Sequence, residues 1–82
     1  MLKGIIRGNI VSTRKQESLV GSKFMEVELI ENGCCTDEYI IAIDSVGAGI
    51  GETVLITTGS SARLALHNVN CPVDAVIVGI VD

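Results

Sequence analysis

Cys34, Cys35, His67 and Cys71 are the side chains of this sequence that could ligate a soft metal or carry thiol chemistry. A zinc centre gathers about four such ligands in a tetrahedron, and its usual signature is two cysteines separated by a short spacer. Cys34 and Cys35 are adjacent, which suits one ion poorly, so reduced thiols near a surface hairpin are expected rather than a metal or cofactor site. His67 has no acidic neighbour in sequence to orient it. With no Ser/His/Asp or Cys/His arrangement evident, no catalytic residues are expected. The run Gly47-Ala48-Gly49-Ile50-Gly51 has the composition of a phosphate cradle, yet it lacks the Lys-Ser/Thr of a P-loop and the βαβ setting of a dinucleotide site. Close approach of loops from adjacent subunits is the structural alternative. Arg63 and Asp74 are candidates for an ion pair, within one subunit or between two.

The elements that must position these residues belong to one small domain, residues 1–82. A chain of 82 residues buries roughly 60–65% of its unfolded surface, so its own core is thin. Yet 48% of the residues are hydrophobic and the mean hydropathy is +0.51. The longest apolar run, Ala75 to Val81, is far short of the ~20 residues that span a bilayer. Excess apolar surface in a protein without a span points to association with further copies of itself. The net charge of −4 gives no basic patch for nucleic acid or an anionic membrane. No secretory signal follows Met1, so a cytoplasmic protein with reduced cysteines is expected.

Apolar residues alternate at Leu2, Ile6 and Ile10 in a first strand reaching Thr13, with Gly4 and Gly8 marking bends. Arg14 to Ser22 is polar and reads as a loop. Lys23 to Glu31 alternates most clearly, with Met25, Val27 and Leu29 inward and Glu26, Glu28 and Glu31 outward, keeping that wall soluble. Asn32-Gly33 is a hairpin turn. Glu38 to Asp44 returns antiparallel and is apolar on both faces, Tyr39, Ile41 and Ile43 against Ile40 and Ala42. Ser45 to Glu52 is a shaped glycine loop, and Thr53 to Thr58 a fourth strand. A serine after Gly59 can cap a short helix over Ala62 to Leu66. Ala75 to Val81 forms a last strand, again apolar on both faces. The expectation is an all-β fold: a small five-stranded OB-like β-barrel, drawn as an antiparallel meander, with one short helix before the last strand. Neighbouring subunits would cover the outer apolar faces.

Several motifs now fall into order along the whole chain. Gly8, Val11, Ser12 and Thr13 are followed by Leu19, Gly21 and Lys23. Then come Asp44, Val46, Gly47, Ala48, Gly49, Gly51 and Glu52; the turn Gly59, Ser60, Ala62 and Arg63; and the close Pro72, Asp74, Ala75, Val78, Gly79, Ile80 and Asp82. This succession closely resembles the bacterial microcompartment vertex family of the EutN/CcmL type. Each motif alone is weak, whereas their order over so short a chain is specific.

The resemblance implies a structural shell protein that forms homopentamers and caps the vertices of a polyhedral shell whose facets are tiled by hexameric proteins. Its residues expected at the subunit interface are Asp44, Val46, Gly47, Ala48, Gly49, Gly51, Glu52, Gly59, Ser60, Arg63, Asp74 and Ile80. The implied location is a microcompartment shell in the cytoplasm. The alternative reading is an OB-fold module for a nucleic acid or small ligand. Stacking platforms use several aromatics beside a basic groove, and this acidic chain offers Phe24 and Tyr39 alone.

Overall fold

A computed structural model describes residues 1–68 and 70–82. Five strands, β1 (Leu2–Ile10), β2 (Phe24–Glu31), β3 (Cys34–Asp44), β4 (Thr53–Thr58) and β5 (Ala75–Ile80), are joined by loops and one helix, α1 (Ser60–Ala65). They close into a barrel in the order β1-β2-β3-β5-β4. The simple meander expected from the sequence therefore holds for β1 to β3 only. β4 returns to pair antiparallel with β1, and β5 slots between β3 and β4, running parallel to β3. The cause is the connection through α1, which carries the chain over the outside of the barrel before β5 begins.

Asn32 and Gly33, at φ of 51° and 77°, make a two-residue hairpin turn, so Glu31 pairs directly with Cys34. Cys34 to Asp37 consequently lie on β3 itself. β3 carries a bulge at Thr36 to Glu38 opposite Leu29, where Asp37 adopts φ 62°. Gly4 is buried because β1 and β2 approach so closely that a side chain there would collide with Val27 and the Glu28 carbonyl.

Two apolar clusters result. Inside the barrel lie Ile6, Met25, Val27, Ala42, Ala48, Val54, Ile56, Ala75 and Ile77. Outside it, Ile43, Ala62, Cys71, Val73 and Val76 form a second cluster beneath α1. This second cluster corrects one expectation: the outer face of β5 is covered at Val76 by the chain's own helix. The helix also starts earlier than the sequence suggested. Its N-cap is Gly59, at φ 66°, with no side-chain cap, and the Gly59 N–H donates to Asp74 O at 2.9 Å. At six residues α1 could not persist alone; packing of Ala62 into the second cluster holds it.

Candidate subunit interface

The glycine loop crosses one end of the barrel and is built around a single carboxylate. Asp44 Oδ1 accepts the Val46 and Gly47 N–H groups at 3.0 and 3.1 Å, and Oδ2 accepts that of Ala48 at 3.0 Å. Lys23 Nζ lies 3.8 Å from Oδ2, and the Asp44 side chain is 2% exposed. Asp44 thus acts inside its own loop. Ala48, 1% exposed, plugs the barrel core. The Gly49 N–H donates to Glu52 Oε1 at 2.6 Å, and Gly47 and Gly51 take positive φ of 81° and 89°, which their lack of a Cβ permits. The loop is then stitched to β1: Gly51 N–H donates to Ile6 O at 2.8 Å, and Ile6 N–H donates to Glu52 O at 3.0 Å. Ile80 pairs with Val54 and so reaches the same end of the barrel.

The remaining expected interface residues gather elsewhere, around α1. Gly59 and Ser60 are exposed at its start, and Asp74 is exposed beside it. Arg63 and Asp74 do not form a salt bridge in the subunit; Arg63 Nη1 donates to the Val73 carbonyl at 3.2 Å instead. The sequence-expected set therefore divides into a loop group with Ile80 and a helix group.

Apolar exposure marks residues that the motifs did not single out. On the outer wall of β3, Tyr39 and Ile41 are about half exposed, Ile50 at the loop tip is 62% exposed, and Leu64 on α1 is equally open. The two-faced apolar pattern of β3 announced the first two. The Gly49-Ile50-Gly51 spacing was the signal for Ile50, a branched apolar side chain with a glycine on either side.

The β1–β2–β3 wall also hides an ion pair. Glu28, expected to face water beside Glu26, is buried. Arg7 Nε donates to its Oε1 at 2.9 Å, and the Asp37 N–H in the β3 bulge donates to Oε2 at 3.1 Å. The Arg7 hydrogen bond, opposed by burial and reinforced by the Asp37 N–H, holds the Glu28 carboxyl below its ordinary value. The negative charge on Glu28 in turn raises the Tyr39 hydroxyl. Arg7 Nη2 also reaches Cys35 Sγ at 3.5 Å. Cys34 and Cys35 are exposed, while Cys71 is buried with its thiol donating to Asn68 O at 3.1 Å. Cys34 and Cys35 are neighbours at the start of β3 while Cys71 belongs to the cluster beneath α1, and no group of three His, Cys, Asp or Glu able to hold a metal occurs among the described residues. No helix among them is long and apolar enough to cross a membrane.

A closed five-strand barrel with internally satisfied polar groups and apolar side chains left on its outer walls has the make-up of a subunit within an assembly. The chain belongs to the EutN/CcmL family, described as ethanolamine utilisation protein EutN/carboxysome, whose pattern matches residues 1–82. It is 46% identical over 80 residues to the carboxysome shell vertex protein CcmL of Gloeobacter violaceus, covering 96% of this chain and 80% of that protein. The bacterial microcompartment shell vertex protein EutN of Salmonella typhimurium is 42% identical over 83 residues, covering all of this chain and 84% of that one. The solved structure of Gloeobacter violaceus CcmL superposes with a TM-score of 0.94 at 44% identity, covering 100% of this chain and 86% of that one. GrpN, a pentameric microcompartment shell protein from Rhodospirillum rubrum, gives 0.90 at 40% identity, covering 100% and 94%.

Proposed function

We infer that this chain is a vertex subunit of a bacterial microcompartment shell, working as a homopentamer among hexameric shell proteins in the cytoplasm. The likeness to GrpN, a pentameric shell protein, over the full chain carries this reading. The physical logic is closure. Six-fold tiles alone build a flat sheet, whereas a five-fold ring introduces the curvature that shuts a polyhedron. A head-to-tail contact whose rotation closes after five copies supplies such a ring.

The surface of the subunit is large enough for this. A stable interface buries at least roughly 1,000 Å² in total, or about 500 Å² per side. A ring subunit with two neighbours would commit about 1,000 Å² of its 5050 Å². Tyr39, Ile41, Ile50 and Leu64 supply apolar parts of that area. In this reading the single domain acts through shape and sealing and makes or breaks no bond; nucleic acid and membrane are not partners.

Native mass spectrometry tests the reading. A species of five times 8.6 kDa, about 43 kDa, is expected at micromolar concentration. A monomer that persists from nanomolar to near-millimolar concentration would refute it.

A further inference from the structure

The wall of the barrel has one incomplete seam. β3 pairs with β2 along most of its length but meets β5 only at Ile43 and Asp44. Ahead of those pairs the wall is open, and a cavity of about 110 Å³ lies in the gap, lined in part by Phe24, Ile41, Pro72, Val73 and Asp74. A dry cavity of about 150 Å³ in another protein accepts a benzene ring, so this one matches a single branched aliphatic side chain. Ile41, at its edge, is 55% exposed.

A side chain of that kind is presented elsewhere on the same molecule. Ile50 stands between two glycines at the tip of the loop, 62% exposed. The backbone on either side of it is fixed, upstream by the Asp44 carboxylate and downstream by the paired bonds of Gly51 and Glu52 with Ile6. A residue held in this way can enter a partner with little further ordering cost. Its downstream anchor, β1, lies between β2 and β4 in the barrel, and no residue of the loop from Ser45 to Glu52 lines the cavity. Knob and hole are therefore separate surfaces, which is the arrangement a head-to-tail contact requires. Leu64 is as exposed, but its helix packs onto the cluster containing Ile43 and Val73, beside the cavity itself.

The geometry points to a knob-into-hole contact between copies of this chain: Ile50 of one subunit fills the β3–β5 seam cavity of the next. This rests on the ring reading given under Proposed function. It adds which surfaces meet and gives the glycines flanking Ile50 a purpose, since side chains there would crowd the knob.

Disulfide trapping separates the two ideas. In a Cys34→Ser/Cys35→Ser background, Ile50→Cys is combined with Ile41→Cys and the protein is oxidised. Covalent species rising stepwise to five linked chains are expected on a non-reducing gel, and each variant with one of the two added cysteines should stop at dimers, the remaining Cys71 being buried. Separately, Ile50→Lys should lower the assembled fraction roughly tenfold or more, as loss of a central anchor does, with an unchanged far-ultraviolet circular dichroism spectrum. A fivefold native mass without the covalent ladder, or full assembly of Ile50→Lys, overturns this contact and leaves the ring standing. A parent protein that stays monomeric overturns both.

Discussion

Replacing Asp44 with alanine is the most informative single perturbation, because one carboxylate holds the loop that the ring reading needs. Its three hydrogen bonds are not equal. Those to Val46 and Gly47 are exposed, and water can replace them at little cost. The bond to Ala48 is partly buried, and its N–H belongs to the residue that plugs the barrel. A donor left unsatisfied in such a place costs about 1–3 kcal/mol. With the smaller loss of the exposed pair, the expected destabilisation is about 2–3 kcal/mol. For a domain of this size each kcal/mol moves Tm by roughly 4–8 °C, so Asp44→Ala should melt about 10–20 °C lower. Asp44→Asn is a sharper control. It keeps one acceptor but turns an amide donor towards an N–H of the loop, and it should recover less than half of the loss. Both are measured by thermal circular dichroism at one fixed protein concentration, since assembly makes Tm concentration-dependent. A Tm within about 3 °C of the parent for Asp44→Ala would show that the carboxylate does not organise the loop, and the rigidity assigned to Ile50 would go with it.

Gly4→Ala tests the close approach of β1 to β2. Its methyl would overlap Val27 Cγ1 and come within 2.8 Å of Glu28 O, so a loss of about 1–3 kcal/mol is expected in the urea midpoint; an unchanged midpoint would mean the strands separate freely. The Arg7–Glu28 pair gives a pH signature. Because the folded-state value of Glu28 lies below the ordinary 4.5, the pair stabilises the fold above that value and the contribution fades as pH falls through the lower, folded one. Urea midpoints of the parent and Arg7→Gln should therefore differ most at pH 6–7 and converge below pH 4.5; a constant offset across that range would contradict the pairing.

How far the fold could be read ahead depended on whether local rules governed each element. The β2–β3 hairpin and β4 were legible because alternation and an Asn-Gly turn are local signals. The position of β5 was not. Nothing in Ala75 to Ile80 states that it must enter between β3 and β4; that follows from where α1 crosses the outside of the barrel, a matter of tertiary packing. The same crossing explains why Val76 proved covered while Ile41 did not, although both strands look apolar on both faces.

The candidate interface separates along a similar line. The motif Asp44 to Glu52 was visible, but its most recognisable members turn their chemistry inward: Asp44 is spent on three N–H groups, Ala48 on the barrel core and Glu52 on Gly49. What such a scaffold offers a neighbour is Ile50, one of the two positions of the run that the motif left open; the other, Ser45, donates its hydroxyl to Ile77 O. Glu28 shows the converse. Its place in the alternation predicted exposure, and the bulge at Thr36 to Glu38 on the neighbouring strand could not be anticipated; Asp37, rotated into positive φ, brings its N–H onto the carboxylate and makes burial of that charge tolerable. Side chains with visible sequence signatures thus build the frame, and the surfaces that frame exposes are where association between copies has to be sought.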